Sequence, residues 1–145
     1  MRLSGSRARL EALLLVAIGG FAGANGRFLL AGTVDGPGGT LLVNVAGSLA
    51  LGFLLYQSIF AGRLSRQTRL LVGTGFLSSF TTYSTFAVES VRLGAVEGLG
   101  YVVGSYALGI LGVLLGREFA KRVTGGLVRT DGGERAGSVD GGDRP

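Results

Sequence analysis

The sequence predicts an all-α integral membrane protein with four transmembrane helices. Three observations carry that prediction. Of 145 residues, 47% are hydrophobic and only 16% are charged, so long stretches are left without charge. The mean hydropathy of +0.49 lies above the range of ordinary soluble domains. Four of the apolar stretches are each long enough to cross a hydrocarbon core, which takes roughly 20 helical residues.

The first span runs from Leu10 to Leu30, the second from Thr40 to Phe60, the third from Leu70 to Val91 and the fourth from Leu99 to Phe119. Turn formers separate them. Thr33-Val34-Asp35-Gly36-Pro37-Gly38-Gly39 marks the first reversal, Gly62-Arg63-Leu64-Ser65-Arg66-Gln67 the second, and the short stretch from Arg92 to Gly98 the third. The first span is not expected to be a cleaved signal, because it carries Glu11, lacks a polar small-residue cleavage region and is followed by three more spans. The chain thus divides into an N-terminal segment 1–9, a membrane domain 10–119 and a polar tail 120–145. The end of that tail, DGGERAGSVDGGDRP, is too polar to bury a core and is expected to be disordered.

Composition also removes whole classes of function. There are no cysteines and no histidines, which excludes disulfides, thiolate or imidazole metal sites, and catalysis by those side chains. The spans hold no nucleophile–base pair, so no enzyme activity is expected. A pI near 10.4 suits nucleic acid, but the arginines alternate with apolar spans and form no basic stripe, so no nucleic-acid partner is expected.

The charges instead set an orientation. Arg2, Arg7, Arg9, Arg63, Arg66, Arg69, Arg117, Lys121 and Arg122 share one side of a four-span topology. Only Arg27 and Arg92 lie at the other boundary, beside Asp35, Glu89 and Glu97. The positive-inside rule therefore places both termini in the cytoplasm of a multi-pass plasma-membrane protein.

Polar groups inside apolar spans serve either packing or function, since an unpaired one is costly in lipid. Gly19-xxx-Gly23, Ala22-xxx-Gly26, Gly100-xxx-Gly104 and Gly112-xxx-Gly116 are small-residue pairs that let helix backbones approach, within the chain or between subunits. Asn44 needs partners and serves as an interhelical hydrogen bond or as a donor to an anion in a pore. Arg27 sits near the end of the first span, where its guanidinium is expected to snorkel to the interface. Tyr101, Ser105 and Gly109 form one stripe at spacing four, as a packing seam or a hydroxyl track.

The third span is the most informative. From Gly73 to Phe86 it crowds glycine and hydroxyl side chains where an uninterrupted apolar helix is expected. Two readings stand. In one, the hydroxyls bond back to their own helix. In the other, the helix is interrupted, which is tolerated at membrane depth only where protein or a polar cavity satisfies the freed backbone. Tyr83 and Phe86, three apart, share a face, and ring edges carry the positive end of the aromatic quadrupole. Such edges solvate a small anion without binding it too tightly for release.

Three motifs in order resemble the Fluc/CrcB family of fluoride channels. They are Gly19-Gly20-Phe21-Ala22-Gly23-Ala24-Asn25-Gly26-Arg27-Phe28, Gly39-Thr40-Leu41-Leu42-Val43-Asn44-Val45-Ala46-Gly47-Ser48 and Thr81-Thr82-Tyr83-Ser84-Thr85-Phe86. The resemblance implies passive, fluoride-specific export that protects cytoplasmic enzymes. It also implies an antiparallel dimer with two pores along the subunit interface. Asn44 would then donate to fluoride, and Tyr83 and Phe86 would fill an aromatic box with Ser84 and Thr85 beside it. Thr40, Tyr101 and Ser105 would lie on a polar track whose last hydroxyl is replaced here by Gly109, and Arg27 would line a vestibule. A structural sodium ion would sit on the backbone carbonyls of Ser78 and Thr81.

Two departures stand out against the family pattern. Ser78 and Ser79 replace the usual Gly-Gly, and Tyr83 replaces the first phenylalanine of the box. The charge asymmetry adds a third expectation. A chain that inserts both ways needs balanced Lys and Arg, and this chain is not balanced, so its partner is expected to be a separately encoded homologue of opposite orientation. Two other functions fit less of the sequence. One is a structural or regulatory partner in a heterodimeric channel. The other is a coupled small-anion transporter, for which no acid lies deep in a span.

Overall fold

The computed structural model describes residues 3–136, all of whose regular elements are helical. Helix α1 covers Leu3–Ala31 and begins well before the expected apolar boundary at Leu10. A turn follows in which Gly36 takes a positive φ of 65°, a conformation that costs glycine nothing, and Pro37 opens the next helix at its first position. Helix α2, Pro37–Leu55, then widens into a π-helical turn at Tyr56–Phe60. Gly62, also at positive φ, ends it.

Helix α3 covers 66–80 and is composite. Ser65 caps it by accepting from Thr68 N at 3.1 Å, the stretch Arg69–Leu77 is wound in π geometry, and Ser78–Phe80 closes it. Helical geometry then stops. Thr81 and Thr82 are extended, with ψ of 158° and 123°, and helix α4, Tyr83–Arg92, starts afresh under a Thr82 cap. Gly94, at φ 85°, turns the chain into helix α5, Ala95–Ala136.

Among the described residues, three helices are long and apolar enough to cross a membrane: Gly5–Ala31, Pro37–Phe60 and Ala95–Gly125. The region expected to form the third span supplies no single helix of that kind. It is divided at Thr81 and Thr82, and its hydroxyl content lowers its hydropathy. Helix α5 also runs beyond 119, where the sequence predicts the polar tail to begin, and continues to Ala136. The Lys121–Glu118 pair at 2.5 Å is one local support for that continuation, at spacing i,i+3. The rest of the tail, 137–145, lies outside the described residues.

Glycine decides how the helices meet. A Cβ on Gly19 or Gly23 would overlap backbone of Leu71 or Phe76, and one on Gly75 would lie 2.8 Å from Val16 O, so α1 and α3 touch backbone to backbone. Helices α2 and α5 meet the same way, Gly52 against Val113 and Gly116 against Leu49. Two of the predicted small-residue pairs therefore seal contacts within the chain. Gly100 and Gly104 do not, having nothing within 4 Å of their would-be Cβ positions.

The buried apolar set is small: Val43, Leu77, Phe80, Phe86 and Ala120. Large side chains such as Phe28 and Val91 point outward, which suits helices whose solvent is lipid.

Candidate functional site

The break between α3 and α4 is held from outside by Asn44. Its Nδ2 donates to Thr82 O at 2.9 Å, and its Oδ1 accepts from Thr82 N at 2.8 Å. One side-chain amide thus satisfies both main-chain groups of a buried residue that no helix serves. Of the two readings open for Asn44, this geometry is the interhelical hydrogen bond, and it uses one of the two amide hydrogens.

Diverting Thr82 N has a consequence one turn back. In an unbroken helix that N–H would donate to the carbonyl of Ser78. The same holds for Thr81, whose helical donor, Thr85 N, turns instead to Thr82 Oγ1 at 3.3 Å. The two carbonyls that the family resemblance singles out are thus both relieved of their usual donors. The hydroxyls nearby bond locally. Ser78 Oγ donates to the carbonyls of Thr74 and Gly75, and Thr81 Oγ1 donates to Leu77 O at 3.0 Å. Back-bonding and interruption, posed as alternatives on sequence, occur together in this segment.

The hydroxyls after the break form their own cluster. Thr82 Oγ1 donates to Thr85 Oγ1 at 3.1 Å and lies 3.4 Å from Ser84 Oγ. Beyond them, α4 carries Phe86 into a ring cluster with Tyr83 at 5.9 Å, Tyr101 at 5.4 Å and Tyr106 at 6.1 Å. Tyr106 meets Phe86 edge-on at 89°, an arrangement the ring quadrupoles favour. Phe86 is 8% exposed, whereas Tyr83 is 74% exposed, so the two rings share a face but only one is covered by this chain.

Thr40 and Tyr101, placed on one track by resemblance, do converge, and a third residue joins them. Thr40 Oγ1 donates to Glu89 Oε1 at 3.0 Å, and Tyr101 OH donates to Glu89 Oε2 at 3.0 Å. A weaker contact links Tyr101 OH to Pro37 O at 3.3 Å. Glu89 was not among the sequence-predicted site residues, since its charge placed it with the loop acids. The available signal was its register, one turn beyond Phe86 on the same short helix.

Ser105 stands apart from that group. Its Oγ is buried and has no hydrogen-bond partner among the described residues. It borders a cavity of about 600 Å³ that also meets Asn44, Thr82, Phe86, Tyr106 and Gly109. Arg27 forms no ion pair among the described residues and lies outside this cavity.

An all-helical chain with three membrane-length helices, and a largely apolar cavity beside a helix break that Asn44, Thr82 and Ser105 reach, is a polytopic membrane protein. Comparison with known sequences narrows the class. The family model described as CrcB-like protein, Camphor Resistance (CrcB), matches residues 14–117. A relative from Haloarcula marismortui, named fluoride-specific ion channel FluC 1, is 53% identical over 117 residues, covering 81% of this chain and 91% of its own. Others include a FluC 1 from Natronomonas pharaonis, 51% identical over 74% of this chain and 92% of its own. A FluC 2 from Rhodococcus jostii is 49% identical over 72% and 94%. The chain belongs to the CrcB family. Its relatives are named as ion channels, a transport class and not an enzyme class.

Proposed function

We propose that this protein is a subunit of a fluoride-specific channel that lowers cytoplasmic fluoride by passive export across the plasma membrane. The observation that carries the reading is the buried, unpartnered hydroxyl of Ser105 beside the Phe86 ring cluster. Fluoride is small and strongly hydrated, so a dry pathway must replace its water with hydrogen-bond donors and positive ring edges. Hydroxyls of Ser84, Thr85 and Ser105, the second N–H of Asn44 and the edges of Tyr83 and Phe86 supply both kinds, while Thr40 and Tyr101, whose hydroxyl hydrogens go to Glu89, continue the polar track. Arg27 adds positive charge at a vestibule.

In this reading α3 and α4 together form the third span, broken at Thr81 and Thr82. The chain pairs in antiparallel fashion with a second subunit, and the outward Tyr83 and the bare Gly100–Gly104 face support that association. A structural sodium ion suits the carbonyls of Ser78 and Thr81, whose helical donors are turned elsewhere. Such an ion would supply fixed positive charge beside the break. The cationic bias of one end favours a partner of opposite orientation encoded as a separate homologue, with both termini of this chain cytoplasmic.

The test is fluoride efflux from liposomes holding this chain alone or with a candidate homologue. Fluoride flow that follows voltage and ignores a pH gradient is expected, with chloride retained. Flow that demands a proton gradient would replace this reading with a coupled carrier, for which Glu89 is the acid placed among the polar residues. Absence of flow from every pairing would leave the chain a structural partner only.

A further inference from the structure

The four segments at one end of the molecule are tied together by side-chain hydrogen bonds. Gln67 Nε2 reaches Glu11 at 3.4 Å, Arg69 donates to Ser58 at 3.3 Å, and Thr124 Oγ1 donates to Gln57 at 3.2 Å. These bonds join α1 to α3, α3 to the π turn of α2, and that turn to α5. They therefore bring Arg7, Arg9, Arg63, Arg66, Arg69, Arg117 and Arg122 to the same end, all of them exposed. Among the described residues the single ion pair is Lys121–Glu118, so this end carries its positive charge almost uncompensated.

Beside it, an open apolar groove of about 470 Å³ runs between α2 and α5, bordered by Leu49, Leu115 and Phe119. Arg122 and Glu118 stand at its polar margin, and Glu118 is engaged by Lys121. Leu115 and Phe119 are exposed on the outside of the chain, and Arg122 follows Phe119 by one turn of α5.

We propose that this groove binds an anionic phospholipid of the adjoining leaflet, its acyl chain against Leu49, Leu115 and Phe119 and its phosphate at Arg122. Charge complementarity chooses the occupant. A zwitterionic headgroup gains little from an uncompensated arginine cluster, whereas an anionic one is drawn to it. The site is separate from the cavity beside Phe86, and its occupancy is measured without reference to fluoride.

Native mass spectrometry of the full chain in detergent, with phosphatidylglycerol or phosphatidylcholine added in equal amount, tests the proposal. Phosphatidylglycerol is expected to be retained preferentially, and Arg122→Gln to weaken that retention roughly fivefold, as losing one interfacial cation implies. Arg122→Lys, which keeps the charge on an exposed site, should restore it. Arg92→Gln, at the other end, should leave it unchanged. Equal retention of the two lipids, full retention by R122Q, or an equal loss in R92Q would each overturn the proposal.

Discussion

Asn44 and Thr82 are joined twice, the carboxamide donating to one main-chain group of Thr82 and accepting from the other, at 2.9 and 2.8 Å. A side chain of α2 thereby replaces the missing helix partners of the break. Removing it should be felt in folding as well as in flux. Asn44→Ala leaves a buried N–H and a buried C=O unsatisfied, each costing about 1–3 kcal/mol. Asn44→Asp keeps the acceptor but sets an oxygen in place of the donor against Thr82 O, so it too should be destabilised. Thermal unfolding in detergent, followed by helical circular dichroism, should place both variants below wild type. Equal stability of all three would show that the double hydrogen bond does not hold the break.

The glycines make a sharper contrast. Gly75 approaches α1 so closely that a Cβ would lie 2.8 Å from Val16 O and 2.9 Å from Gly19 Cα, whereas Gly100 meets nothing. Gly75→Ala should destabilise the chain by about 1–3 kcal/mol through overpacking. Gly100→Ala should leave the isolated chain at least as stable, since alanine is the better helix former. A Gly100 change that instead weakens subunit association, read by size-exclusion chromatography or cross-linking, would assign that face to the interface.

Much of this arrangement was legible in the sequence, for definite reasons. Hydropathy finds α1, α2 and α5 because a helix bathed in lipid must be apolar on its outside, but it misses their polar extensions, since α1 begins at Leu3 and α5 continues to Ala136. The hydroxyl-rich stretch signals an interruption because such residues serve a helix poorly at membrane depth. What the sequence cannot show is which main-chain groups the interruption releases. That depends on Asn44 meeting Thr82 across 38 positions of chain. Glu89 escaped notice for a related reason. Read along the chain it belongs to a charged loop boundary, and only the fold brings Thr40 and Tyr101 to it from two other helices. The spacing of Tyr101, Ser105 and Gly109 likewise left seam and hydroxyl track open. The structure divides them, with Ser105 at the cavity and Tyr101 at Glu89.

The Thr40–Glu89–Tyr101 group should behave as a unit. Thr40→Val removes one donor to the carboxylate, and Tyr101→Phe removes the other. Residues that share a hydrogen-bond partner couple by about 0.5–3 kcal/mol in double-mutant cycles. The expected outcome is therefore a double variant whose loss of fluoride efflux differs from the sum of the single losses. Strict additivity in both efflux and thermal stability would mean that Glu89 does not link them.

Phe86 and Tyr83 should differ in the same efflux assay, because they differ in what surrounds them. Phe86 is buried among Tyr101, Tyr106 and Tyr83, and Phe86→Leu keeps much of the volume while removing the ring edge. Fluoride efflux should fall by about tenfold or more, equivalent to about 1.4 kcal/mol in the rate-limiting barrier. Tyr83→Phe keeps the ring edge and deletes only an outward hydroxyl, so flow should persist near the wild-type rate. If Phe86→Leu conducts normally while its melting temperature is also unchanged, ring edges are not solvating the ion. If Tyr83→Phe abolishes flow, the hydroxyl itself is in the path, and the tyrosine at this position serves as a donor in its own right.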